Sequence, residues 1–201
     1  PSAQELLSLI QQVRKEKQQP MDFTIQAVPL MDFEVDGGKI VREKKIKMLD
    51  AEEWTLSNGC KVYYKYSDTD GPQVSLTAGG PGGKAMLADA DLPSATALTD
   101  LMLRSGLYNH GRRMLEEILK GRTVMAGISF GDTEEGVKGF CEKQDAEMMF
   151  QMIWLFLEKP RFERDDFDKY VYLNKMRYEN TPLTANDTIA EMLQKLKTID
   201  S

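Results

Sequence analysis

Apolar positions recur at helical spacing near the start of the chain, lose that period, alternate residue by residue, and then return to helical spacing. Leu6, Leu7, Ile10 and Val13 share one face of a helix predicted over residues 2–18, with Ser2 placed to cap it and Pro20 to stop it. Residues 19–50 keep no period and contain Pro20, Pro29 and the Gly37-Gly38 pair. They predict a long, partly extended linker. Met21, Phe23, Ile25, Val28, Leu30 and Phe33 make it too apolar for a free tether, so it should dock along a surface.

The stretch Trp54-Thr-Leu-Ser-Asn-Gly-Cys-Lys-Val-Tyr-Tyr-Lys-Tyr66 is the clearest β signal. Asn58-Gly59 supplies the positive φ that a tight hairpin turn needs, and strand-forming residues flank it. Residues 73–78 alternate and predict the next strand, which Gly79-Gly-Pro-Gly-Gly83 should end. Residues 87–92 read as an acidic loop.

Residues 94–106 predict a helix with Leu98, Leu101, Met102 and Ser105 on one face. Ser94 is expected to cap its start, and Gly106 stands where the chain must leave it. A second helix follows over 111–120, then a strand over 122–130, a Gly131-Asp132 turn and a partner strand over 135–141. Helices are expected over 145–157, over 163–178 with Phe167, Tyr170, Val171 and Asn174 on one face, and from Asn186-Asp187 to near Lys197. Thr181-Pro182 should separate the last two. Hairpins rather than strand–helix–strand repeats imply an α+β fold, an antiparallel sheet with helices packed mainly on one face. The division expected is an N-terminal helix and linker over 1–50 and one α+β domain over 51–201.

Composition narrows the function classes. The net charge of −6 gives no bulk attraction to phosphate backbones, and the mixed run Arg42-Glu-Lys-Lys-Ile-Lys47 reads as a solvated strand or linker edge, so no nucleic-acid partner is expected. No window is apolar enough to span a membrane. The chain opens Pro1-Ser2 without Met and reads as cut from a longer protein. Cys60 and Cys141 form no Cys-x-x-Cys pair, which argues against zinc-ribbon and thioredoxin chemistry. Both are expected to be small buried hydrophobes.

The candidate chemistry mostly resolves into structure. Gly79–Lys84 lacks the glycine and hydroxyl of a phosphate loop, since 78 and 85 are alanines. A glycine-permitted bend is the better reading. His110, the one histidine, is expected to be a polar loop residue; a catalytic base is the weaker alternative. Met148, Met149, Met152, Phe150, Trp154 and Phe156 fall at helical spacing and should pack a core. Glu134-Glu135 and Asp165-Asp166 open predicted elements and are assigned no role.

Several of these motifs, in this order, resemble the pitrilysin/insulinase family of zinc metallopeptidases. Trp54-Thr-Leu-Ser-Asn-Gly-Cys-Lys-Val62 resembles that family's opening L-x-N-G-x-x-V hairpin. Gly131-Asp-Thr-Glu-Glu-Gly-Val-Lys-Gly139 and Leu157-Glu-Lys-Pro-Arg-Phe162 resemble its later strand pair and the P-x-F entry to its final helices. The likeness covers about residues 50–197, and the segment before it resembles the linker between the two halves of such proteins.

In active members a His-x-x-Glu-His run on the first helix, with a later Glu, holds zinc and activates its water. The resemblance places those positions at Ala97, Asp100, Leu101 and Arg177, so neither histidine is present and a cation stands where the third ligand belongs. It therefore implies no cofactor in this fragment and a non-catalytic repeat of a larger zinc peptidase. Its partners would be the catalytic half of the same polypeptide, which would hold the zinc, and a peptide substrate in a shared chamber. Bacterial members suggest a periplasmic or cell-envelope location. The alternative is a scaffold or assembly subunit of the same fold with no active repeat anywhere.

Overall fold

The computed structural model describes residues 2–15, 28–69, 71–180 and 184–199. The first helix, α1 (Ala3–Lys15), opens on a reciprocal cap. The Ser2 backbone N–H donates to Glu5 Oε2 (2.7 Å), and the Glu5 N–H donates to Ser2 Oγ (3.3 Å). The end of the expected helix, 16–18, lies outside the described residues, as do 19–27 of the expected linker and Thr181-Pro182.

The strands form two three-stranded antiparallel sheets rather than one. The first contains β1 (Ile40–Ile46), β2 (Ala51–Leu56) and β3 (Lys61–Tyr64), with β2 in the middle. The mixed-charge run around Arg42 is thus a strand. The β2–β3 hairpin turns at Asn58-Gly59 as expected, with Gly59 at φ 85 and Trp54 opposite Val62. Trp54 stacks on Tyr64 at 5.1 Å, and its indole N–H donates to Glu52 (3.1 Å). Cys60 follows that turn and is exposed, a correction to the burial expected of it; its N–H is turned back onto the Asn58 side chain (3.0 Å).

The second sheet has the order β4 (Gln73–Pro81), β6 (Glu134–Glu142), β5 (Val124–Phe130). β4 does not stop at the glycines. Gly79 and Gly80 still pair with Gly136 and Glu135, and pairing ends only at Pro81 opposite Glu134. The bend comes at Gly83, at φ 77, where a Cβ would lie 2.5 Å from the Gly131 carbonyl oxygen. Two short 3-10 turns, Lys84–Met86 and Asp89–Asp91, replace the expected acidic loop.

Helix α2 (Leu92–Ser105) starts two residues before Ser94, with Asp91 in the capping position. Pro93 lies in the first turn, where a missing N–H costs nothing, so Ser94 is inside the helix rather than its cap. Gly106 ends it at φ 85, with the backbone of His110 to Arg112 packed where a side chain would stand. Helices α3 (Arg112–Ile118), α4 (Ala146–Glu158), α5 (Arg164–Asn180) and α6 (Ala185–Ile199) follow.

The core lies between α4 and the inner face of the second sheet. Met149, Met152, Ile153, Leu155 and Phe156 of α4 are buried with Val124, Val137, Cys141, Met102 and Leu107. Each such side chain contributes about 1.5–3 kcal/mol by leaving water. Close approach depends on Gly139: a Cβ there would lie 2.7 Å from Met149 Sδ. The Met-rich helix is therefore core, as its spacing predicts, with Phe150 on the outer side.

The segment 28–33 docks on this same core. Leu30 is only 1% exposed. Phe33 packs edge-on against Tyr108 (5.5 Å) and Trp154 (5.4 Å).

Candidate functional site

Helix α2 positions the residues that the family motif would occupy. Ala97 is buried, and Asp100 is exposed. Leu101 is half-buried but stands outside the buried cluster; Leu98 and Met102 make that contact, because the α2 surface facing the sheet runs through Ala95, Leu98 and Met102. Arg177 sits in the last turn of α5, in a mainly apolar cleft of about 950 Å³ shared with Tyr170, Tyr178 and Asp187.

Ala97 and Leu101 carry no donor atom, and Arg177 offers only N–H groups and a positive charge. These side chains do not fit a zinc ion. Among the described residues no group of three or more His, Cys, Asp or Glu could hold a metal.

His110 lies in a loop, as expected, but in a buried one. It is 8% exposed, and its Nε2 lies 3.2 Å from the Leu30 carbonyl oxygen, which makes the Nε2–H tautomer the one that satisfies both groups. The tight turn 107–110 supports it. The Leu107 N–H donates to the His110 carbonyl and the His110 N–H to the Leu107 carbonyl. Tyr108 adopts φ 53 in this turn, and its hydroxyl donates to Asp32 Oδ1 (3.1 Å). Partial burial, and then Asp32 beside it, push the Tyr108 hydroxyl pKa above the usual tyrosine value. Arg161 Nη1 donates to the Tyr108 carbonyl (3.2 Å). His110 and Tyr108 thus fasten the 28–33 segment to the domain.

Sequence reasoning also missed Asp145. It occupies the N-cap position of α4 yet caps nothing; its buried carboxylate accepts from Arg122 Nη1 (3.1 Å) and from the Thr123 N–H (3.0 Å). Burial of the cysteine pair holds only for Cys141, whose thiol pKa is raised by that burial and by nearby Asp145.

A groove of about 540 Å³ lies at the ends of β4, β5 and β6, lined by Gly79, Gly80, Ser129, Glu135, Gly136 and Lys138. The glycines leave its floor without side chains. Among the described residues β4 pairs only with β6, so its other edge is open. Gly82 N–H bonds the Thr133 carbonyl and Lys143 N–H bonds the Pro72 carbonyl, which turns even-numbered backbone groups of β4 toward β6. By alternation, the N–H and C=O groups of Ser75, Thr77 and Gly79 face outward. An extended chain could add to this edge beside the groove.

No family model matches the chain. It is 24% identical over 187 residues to a probable zinc protease, PqqL, of Haemophilus influenzae, an alignment covering 84% of this chain and 20% of that protein. Its fold superposes on the ferredoxin protease FusC, solved as a variant in complex with Arabidopsis ferredoxin, with a TM-score of 0.70 and 21% identity, covering 98% of this chain and 22% of FusC. The chain is a relative of the pitrilysin/insulinase zinc proteases. The periplasmic protease PqqL of Escherichia coli superposes with a TM-score of 0.68 at 16% identity, over 89% of this chain and 20% of that one. The chain therefore spans about a fifth of the length of these pitrilysin-type relatives. No helix among the described residues is long and apolar enough to cross a membrane.

Proposed function

We propose that this chain is a non-catalytic repeat of a larger pitrilysin-type zinc metallopeptidase, forming part of the wall of its substrate chamber. Residues 1–50 would be the N-terminal helix and inter-half linker, and residues 51–201 the inactive domain. The catalytic half of the same polypeptide would bind the zinc and hydrolyse the peptide. The observation that carries this reading is the chemistry of Ala97, Asp100, Leu101 and Arg177 on a chain whose relatives are zinc proteases. No Lewis-acid site can be built from two alkyl side chains and a guanidinium. The description of a relative as periplasmic favours the same compartment for the parent protein.

The open edge of β4 gives the domain a way to hold substrate without chemistry. Ser75, Thr77 and Gly79 would bond the backbone of an extended peptide, independent of its sequence. Two measurements test the reading. Metal analysis of this chain after equilibration with zinc should find no stoichiometric tightly held ion; one zinc per chain would overturn it. In the full-length protein, Thr77→Pro removes an outward N–H while sparing the β4–β6 ladder. It should raise KM and leave kcat nearly unchanged. An unaltered KM would show that this edge takes no part in holding substrate.

A further inference from the structure

The register of the first sheet sorts its charges onto two faces. Arg42 stands opposite Thr55, and Thr55 opposite Lys61; Lys44 stands opposite Glu53, and Glu53 opposite Tyr63. Residues that face each other across strands share a face, as do residues two apart along a strand. Arg42, Lys44, Lys61 and Tyr63 therefore lie together, with Glu53 the one acid among them. The other face carries Glu43, Lys45 and Glu52 around Trp54, Val62 and Tyr64, so its charges are mixed.

Arg42, Lys44 and Lys61 are exposed, and Tyr63 is 63% exposed. None of the three cations forms an ion pair among the described residues. Among the described residues no helix is extensively packed over this sheet. In a chain of net charge −6, three unpaired cations on one small face are a local reversal of sign.

From this arrangement we propose that the Arg42–Lys44–Lys61 face binds an extended polypeptide segment bearing acidic side chains at alternate positions. The spacing fits. Arg42 and Lys44 are two residues apart on one strand, about 7 Å, which is also the repeat of like-facing side chains in an extended ligand. Lys61 lies two strands away, about 10 Å across the sheet, where it meets a carboxylate leaning over β2. Tyr63 presents a broad amphipathic ring for the ligand's backbone or an apolar neighbour. A nucleic acid is disfavoured by Glu53 at the centre of the face and by the overall negative charge. The surface is separate from the β4 edge, and its test does not depend on the peptidase reading.

The experiment is anisotropy titration of the chain with a labelled peptide of alternating Glu and Gly. A Lys-Gly peptide and a single-stranded oligonucleotide of equal charge serve as comparisons. The acidic peptide should bind best, and added salt should weaken it. Arg42→Ala, Lys44→Ala and Lys61→Ala combined should weaken it at least about tenfold. Lys45→Ala, on the opposite face, should leave it unchanged. Trp54 emission, reporting from that opposite face, checks that the sheet is intact. Should the triple variant lose its fold, the single changes Arg42→Gln and Lys61→Gln carry the test, each expected to weaken binding about threefold. Equal binding of the Lys-Gly peptide, tighter binding of the oligonucleotide, or indifference to the Arg42, Lys44 and Lys61 changes would overturn the proposal.

Discussion

His110 Nε2 and the Leu30 carbonyl oxygen lie 3.2 Å apart, joining the 28–33 segment to the turn after α2 across eighty positions of sequence. The contact works as a pair with the Leu30 side chain, which is almost wholly buried in the core. Leu30→Ala should destabilise the chain by about 2–5 kcal/mol, the usual cost of emptying a packed leucine site. His110→Ala should cost about 1–3 kcal/mol by leaving a buried carbonyl unpaired. Urea unfolding monitored by Trp154 fluorescence, in a Trp54→Phe background, checks both. A catalytic histidine would instead be dispensable for stability.

Two glycines of the second sheet make opposite predictions. At Gly136 a Cβ would meet the Ala78 carbonyl and stand 2.7 Å from the Gly79 Cα, so backbone rather than a flexible side chain would have to move. Gly136→Ala should cost about 1–3 kcal/mol and loosen the β4–β6 pairing. At Gly127 nothing lies within 4 Å of the added carbon. Gly127→Ala should be neutral or stabilise by up to about 1 kcal/mol, by restricting the unfolded chain. Thermal melts of the two variants give the comparison directly.

Arg122 and Asp145 form an asymmetric pair, the carboxylate 4% exposed and the guanidinium 45% exposed. The exposed partner regains water when the pair is broken, and the buried one does not. Asp145→Ala also strips the Thr123 N–H of its acceptor. It should cost about 1–3 kcal/mol. A double-mutant cycle with Arg122→Ala should return a coupling of about 1 kcal/mol. Independent, additive effects would mean that Thr123, not Arg122, is the partner that matters.

What was legible in the sequence was whatever depends on local period and turn chemistry. The Asn58-Gly59 hairpin, the Met-rich α4 and the Gly106 helix end all follow from neighbours within a few residues. What was hidden depends on distant partners. The burial of His110 could not be read because the Leu30 carbonyl it meets is remote in sequence, and the role of Asp145 could not because its partners, Arg122 and Thr123, lie more than twenty residues earlier. The split into two sheets was also unreadable, since each hairpin carries the same alternation whichever sheet it joins. A signal was available for the linker: Leu30 and Phe33 were too apolar for solvent, and that excess correctly announced docking.

Helix α6 should respond to acid through one carboxylate. Asp187 accepts from the Thr184 hydroxyl (2.6 Å) and the Thr184 N–H (2.9 Å), and its own N–H donates back to the hydroxyl (3.3 Å). These hydrogen bonds favour the ionised form and hold its pKa below the ordinary aspartate value of 3.8, with Arg177 a smaller contributor. A depressed folded-state pKa means that the stabilisation is complete above the unfolded value. It fades as pH falls below about 3.8 toward the folded pKa. Helical signal from α6 should therefore be steady near neutrality and decline in that acid window. Asp187→Asn, which keeps an acceptor but cannot titrate, should flatten the decline, while Thr184→Ala should lower α6 helicity at neutral pH as well. Circular dichroism of the three proteins between neutrality and strong acid, or exchange rates of the first-turn amides of α6, reads the effect. Identical acid profiles for the parent chain and Asp187→Asn would assign the transition to other carboxylates.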